Sequence, residues 1–275
     1  SVFAPLDSNN NNNNQHRYLT DNEQNHRALA VYKHPRETVT PQPGDVCHIL
    51  DFEEYPDGSE PGTDYIKDQW SPWGVHVGAV AKTNGFTPNG AARIFDTSNP
   101  GTNNNNGDPD LGSPNHLCSN ANDSSRDYGE GVGGEPGQPG ENCVPIGRIM
   151  IIQESDKTAD DDNSKGGTLS YTFDVPVRLE YMGVMDLDEG KGDHIEVTYA
   201  NGSEETITID ALGDNSVQWI AINRDDVVAA KLVLVGSGAT TGVGYCIPGT
   251  LAPTPAPTPT PTFGPTPGPT FGPTP

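Results

Sequence analysis

The stretch Ile195–Ile209, IEVTYANGSEETITI, decides the fold class. Two runs rich in β-branched residues flank Asn201-Gly202, a dipeptide suited to a tight turn because both residues tolerate positive φ. Ile195–Tyr199 and Thr206–Ile209 therefore read as the antiparallel strands of a hairpin. The same grammar continues in both directions, with Gly, Asn, Asp or Pro separating short apolar runs. Upstream lie Val46–Phe52 (VCHILDF), Gly74–Lys82 (GVHVGAVAK), Ala91–Asp96, Ile146–Gln153 (IGRIMIIQ), Leu169–Phe173 and Val177–Met185. Downstream lie Val217–Ile222, Lys231–Val235 and Val243–Ile247, and only Asp225–Ala230 hints at a helical turn. About eleven strands with almost no helix predict an all-β protein, an antiparallel β-sandwich of jelly-roll-like organisation.

Apolar residues make up 32% of the 275, and Val46 to Tyr245 holds nearly all of them that would form a core. That distribution predicts one sandwich domain over 46–248 between two unusual ends. Residues 1–45 carry six consecutive Asn (Asn9–Asn14) and then Pro35, Pro41 and Pro43, which reads as an extended arm. Its one candidate element is Arg27–Lys33, RALAVYK, which would suit addition to a sheet edge. Residues 249–275 alternate Pro with Thr, and Thr262-Phe263-Gly264-Pro265 recurs as Thr270-Phe271-Gly272-Pro273. Alternating Pro excludes helix and central strand, so a polyproline-II stalk is expected. Thr beside Pro marks Thr254, Thr258, Thr260, Thr262, Thr266, Thr270 and Thr274 as candidate O-glycosylation sites.

The formal charge is −23, from 38 acidic and 15 basic residues. Such a balance excludes a phosphate-tracking surface and disfavours docking on anionic lipid. It favours divalent cations, which relieve repulsion among carboxylates. No apolar run reaches the 18 or so residues of a membrane-spanning helix. The four cysteines form no CxxC pair, and their even number in an Asn/Thr/Pro-rich chain points to an oxidising, extracellular compartment. Between Gly107 and Asn142 lies a long insertion rich in Gly, Pro, Asn and acid; Cys118 and Cys143 bracket much of it, while Cys47 and Cys246 sit in the first and last core strands. Cys47–Cys246 and Cys118–Cys143 are therefore the expected bridges, with the two other pairings open on sequence. Asn122 and Asn201 begin N-glycosylation sequons.

Catalytic signatures are missing. None of the seven His falls in HExxH, no Ser sits in GxSxG, and Gly129–Gly134 matches GxGxxG by letter without a preceding strand or following helix. A non-enzyme is expected.

Metal binding has more support. Ile94–Asn115, IFDTSNPGTNNNNGDPDLGSPN, carries Asp96, Asn99, Asp108, Asp110 and Asn115 on a turn-rich loop. Short oxygen-bearing side chains suit Ca2+, which takes six to eight oxygen ligands. Three strands also end in acids: Asp51 and Glu53, then Glu154 and Asp156 ahead of Asp160-Asp161-Asp162, then Asp186, Asp188 and Glu189. Strand ends converge at one edge of a sandwich. The expected ligand set is Asp51, Glu53, Asp96, Asp108, Asp110, Glu154, Asp186 and Asp188, holding a structural Ca2+. Tyr65, Trp70 and Trp73 lie close together in a loop, where they would either stack on a sugar or cover one end of the core.

DFEEYPDG, IFDTSNPG with DPDLGSPN, IMIIQE with DDDNSKGG, YTFDVPV, VMDLDE and ALGDNSVQ occur in this order over Val46–Gly238. On these motifs the chain resembles a family of secreted β-sandwich domains found in extracellular bacterial and algal proteins, often beside low-complexity or anchoring segments. The resemblance implies a sandwich fold and no particular reaction. Ala239-Thr240-Thr241 stands where relatives often place an acid, which argues against a metal ligand there. Together these readings predict an extracellular, glycosylated structural protein whose copies form a surface fibre or matrix through their terminal segments. The alternative is a carbohydrate-binding adhesion module on a glycosylated linker.

Overall fold

The computed structural model describes residues 39–82, 91–101, 107–119, 128–154, 161–188 and 192–249. Nine strands follow in chain order: β1 Val46–Leu50, β2 Val75–Ala81, β3 Ala92–Asp96, β4 Arg148–Ile152, β5 Gly167–Met185, β6 His194–Tyr199, β7 Glu204–Thr208, β8 Val217–Leu234 and β9 Ala239–Ile247. All pair antiparallel in one sheet, ordered β3-β4-β9-β5-β8-β6-β7, with β1 added on β9 and β2 on β5. No α-helix occurs among the described residues. The all-β, sandwich-like class expected from the hairpin grammar is the observed one.

Nine strands replace the expected eleven because two pairs of runs are fused. Leu169–Phe173 and Val177–Met185 are halves of β5, which is irregular between Thr172 and Val177. There Asp174, Val175 and Pro176 are exposed, and Pro176 has no N–H to donate to a ladder. Likewise Val217–Ile222 and Lys231–Val235 merge into β8, so Asp225–Ala230 is strand and not the helical turn its sequence hinted at. The misleading signal came from a corner, where Asn223 (φ 51°) and Asp226 (φ 59°) take left-handed backbone.

These corners make the two layers. The first half of β5 pairs with β2 and with Ala229–Leu234 of β8, while the second half pairs with β9 and with Val217–Val227. Leu169, Tyr171, Val197 and Leu232 from one layer share a buried core with Leu50, Met150, Val184 and Val243 from the other. Tyr171 Oη lies 3.0 Å from Thr240 Oγ1 across that core, and the Phe173 and Tyr245 rings are 4.9 Å apart. Each large side chain removed from water here contributes roughly 1.5–3 kcal/mol.

The insertion adds a third layer. In β4, Met150 and Ile152 enter the main core, while Ile149 and Ile151 face the other way and join Phe95, Leu111, Ile146, Met185, Val217 and Ala239. Burial on both faces explains why Ile149–Ile152, within IGRIMIIQ, is an unbroken apolar run. Leu111 and Ile146, from either end of the insertion, close this second cluster.

Trp70 and Trp73 cover one end of the core. Trp70 is 1% exposed, packs edge-on against Phe52, and donates from Nε1 to Glu54 O at 3.1 Å. Trp73 stacks on His48, whose imidazole burial holds its pKa down at about 4. Neither indole is a platform for a sugar. Nearby, the partly exposed side chain of His76 in β2 links the loop before that strand to the β5 corner, with Nδ1 2.5 Å from Asp68 and Nε2 2.8 Å from Asp174.

Candidate metal centre

Seven aspartates gather where the insertion meets the sandwich: Asp108, Asp110, Asp161, Asp162, Asp186, Asp188 and Asp214. Each arrives on a segment with its own reason for being there. Pro109 starts a single 3-10 turn, Pro109–Leu111, that presents Asp108 and Asp110 while sinking Leu111 into the second cluster. Asp162 forms an isolated bridge with Gln153 just beyond β4. Asp186 ends β5 with left-handed backbone (φ 62°), and its N–H donates to Ser216 O at 2.8 Å. Asp214 belongs to the turn before β8.

One carboxylate oxygen from each of Asp108, Asp161 and Asp162 lies within 4.8 Å of the others. Oxygens bound to a single Ca2+ at 2.3–2.6 Å can stand no more than about 5 Å apart, so the spacing fits one shared ion. Asp108, Asp162 and Asp186 are 8%, 5% and 2% exposed. Among the described residues no Lys, Arg or His forms an ion pair with Asp108, Asp110, Asp161, Asp162, Asp186 or Asp214. Their hydrogen bonds come chiefly from uncharged backbone: Asp162 accepts from Gly238 N, and Asp186 Oδ1 accepts from Asn215 N at 2.6 Å.

The electrostatic consequence is large. Burial, then a hydrogen bond with Asp110 and the charges of Asp162, Asp110 and Asp186, push the Asp108 carboxyl up to about 11. Burial and the Asp186 charge hold Asp162 well above the ordinary range, and burial with the Asp110 charge does the same for Asp186. Asp161 rises to about 6 through burial and the Glu154 charge. Asp214 is raised by a hydrogen bond with Asp188 and by burial. The Asp110 charge contributes to every one of these shifts. Without a cation, such a site must hold protons; a divalent ion would replace them with oxygen–metal contacts. Hard oxygen donors without Cys or His suit Ca2+ above Zn2+ or copper.

Beside the carboxylates lies a closed amide network centred on Asn215, which is fully buried at φ 62°. Its Nδ2 donates to Asp110 O (2.8 Å) and Gly112 O (2.7 Å), and its Oδ1 accepts from Asn115 Nδ2 (2.9 Å) and Asn142 Nδ2 (3.1 Å). Ser113 Oγ donates to Asn142 Oδ1 and accepts from Ile146 N. Every hydrogen-bonding site of the Asn215 side chain is used. The glycines of Gly129–Gly134 pack against this hub: a Cβ on Gly129 would strike Gly112 O and Asn215 Nδ2, and one on Gly131 would strike Asp214. The letters of a nucleotide loop are here a close backbone-to-backbone contact. The Cys118–Cys143 bridge sits at the edge of the network, where Cys118 Sγ lies 3.5 Å from Asn142 O.

Of the eight expected ligands, Asp108, Asp110, Asp186 and Asp188 are brought together. Glu154 lies at the margin: its N–H donates to Asp161 O and its carboxylate accepts from Ser164 Oγ at 3.1 Å. The other three are engaged elsewhere. Glu53 pairs with Arg148, whose Nη1 is 2.9 Å away, and also accepts from Arg148 N. Asp51 accepts from Glu53 N at 3.2 Å, turning the chain after β1. Asp96 caps its own turn by accepting from Ser98 N (3.0 Å) and Oγ (2.7 Å). These three therefore stand apart from the aspartate group: a strand-end acid finds the nearest donor, and for Glu53 that donor is an arginine. Asp161, Asp162 and Asp214, which the expected set does not include, join the group. The run Asp160-Asp161-Asp162 was a usable signal, whereas Asp214 carried none beyond its turn.

Both bridges are formed as expected, Cys47–Cys246 and Cys118–Cys143. Asn201 is exposed at the tip of the β6–β7 hairpin. Asn122, Asp156, Asp160, Glu189, Arg27–Lys33 and the candidate threonines of the stalk lie outside the described residues. No family model, curated protein or solved structure matches the chain.

Proposed function

We propose that this protein is an extracellular structural module whose insertion is clamped to its sandwich by Ca2+ at the aspartate centre. In this reading it is a glycosylated, non-catalytic subunit of a surface fibre or matrix, and the sandwich supplies a rigid body between the two terminal segments. The observation that carries the clamp is the burial of Asp108, Asp162 and Asp186 against one another without a basic partner among the described residues. Two disulfides support the oxidising compartment, where millimolar Ca2+ is available to sites of modest affinity. The exposed Asn201 supports N-glycosylation at a point away from the centre.

Calorimetric titration of the full chain with Ca2+ tests the clamp directly. Saturable binding that disappears in Asp162→Asn is the expected result. Absence of metal by elemental analysis, together with an unchanged melting temperature in EGTA, would exclude it. Assembly is tested separately by removing residues 1–38. The trimmed protein should stay folded and monomeric, and electron micrographs showing unaltered fibres would rule out the arm.

A further inference from the structure

We infer that the Cys47–Cys246 bridge is a tension shunt: a pull applied through the two ends of the chain crosses the bridge and bypasses the entire sandwich. The terminal strands β1 and β9 are antiparallel, so the chain enters and leaves at the same place. Cys47 and Cys246 are directly opposed in that ladder, with Cα atoms 3.9 Å apart and a sequence separation of 199. Only Val46 and Ile247 lie outside them in the paired segment. An antiparallel pair pulled from one end opens like a zipper, one pair of hydrogen bonds at a time. That is the weakest way to load a sheet, and here the second residue pair is covalent.

The segments just outside the bridge are bound to each other and to β5. Arg178, nearly buried, donates from Nη2 to Thr40 O (2.6 Å), from Nη1 to Asp45 (2.8 Å) and from Nε to Glu180 (2.6 Å). Asp45 in turn accepts from Gly249 N at 3.3 Å, and a Cβ on Gly249 would collide with Gly44. Incoming and outgoing chains therefore run side by side, and these contacts would peel first, before force reaches the sulfurs. The sandwich hangs from the thread as a pendant. Its strands carry no load while the bridge is intact, whether or not the aspartate centre holds an ion.

Single-molecule stretching of the full chain between handles at its two ends tests this. The oxidised protein should lengthen only by its terminal segments, in Ca2+ and in EGTA alike. In Cys47→Ser/Cys246→Ser the inner bridge holds back 25 of the 199 residue steps. Sandwich rupture should then release roughly 570–630 Å of chain at 3.3–3.6 Å per residue. Should that variant fail to fold, oxidised wild-type protein held at constant force and exposed to a phosphine reductant should release at least that length once the bridge is cut. A release of this size from the oxidised chain would overturn the shunt, as would its absence after the bridge is removed.

Discussion

Buried carboxylates meet two fates in this molecule. Where the chain enters and leaves, Asp45 and Glu180 share Arg178, and in the loop after β1 Glu53 faces Arg148. Where the insertion docks, Asp108, Asp162 and Asp186 face other carboxylates. The first region balances its charge from within the chain, and the second must take positive charge from solution, as protons or as a metal. One fastening is therefore constant and the other depends on the medium. Desolvation alone does not mark that difference, since the half-buried Glu53 carboxyl is raised by it too.

The strongest way to break the internal fastening is to remove its covalent member. Cys47→Ser/Cys246→Ser should lower unfolding stability in urea by about 5 kcal/mol on the chain-entropy estimate, by the same amount with and without Ca2+. Removal of the external fastening comes next. Chelation at neutral pH should lower the melting temperature, and free Ca2+ at a thousand times the dissociation constant should restore about 4 kcal/mol. Asp162→Asn should abolish that response. Glu53→Gln should leave the response intact while costing about 1–2 kcal/mol, because it weakens a hydrogen bond to a charged partner. Asn215→Ala should fall between these, at about 3 kcal/mol, since it takes one hydrogen bond from each of the Asn115 and Asn142 amides and from the Asp110 and Gly112 carbonyls; urea titration reads it.

The smallest expected effect concerns His76. Its carboxylate partners Asp174 and Asp68 raise its pKa, and the imidazolium is exposed. A raised cationic group stabilises the fold fully below its unfolded value, near 6.5, and loses that contribution as pH climbs through the folded value. The stability difference between wild type and His76→Asn should thus be largest below the unfolded value and decline as pH rises above it. Exposed pairs of this kind are worth about 0.2–1 kcal/mol. A difference that instead grew with pH would refute the pairing.

Much of the fold was legible because β-strands announce themselves locally. Asn201-Gly202 gave the hairpin, and the opposed terminal strands gave the Cys47–Cys246 pair. The corners were not legible. Asp174-Val175-Pro176 and Asn223 to Asp226 read as breaks between strands, while tertiary pairing carries the same strand through them. At the aspartate centre, acid-rich strand ends were visible, yet which acids meet is set by where arginines lie. Glu53 and Asp186 look alike in sequence, each within two residues of another acid at the end of an apolar run. Arg148, 95 residues from Glu53, decides between them. The role of Asn215 was invisible, because its partners Asp110, Asn115 and Asn142 are 105, 100 and 73 residues away.

The corners carry one more consequence. With 19 residues in β5 and 18 in β8, the same two strands run from one layer into the other, both central in the first and, in the second, β5 lying between β9 and β8. Each layer is thus built on strands it shares with the other, so neither comes apart while the other persists. Amide hydrogens along Leu169–Tyr171 and along Met182–Val184 should therefore exchange with solvent at one shared, slow rate, reporting a single global opening.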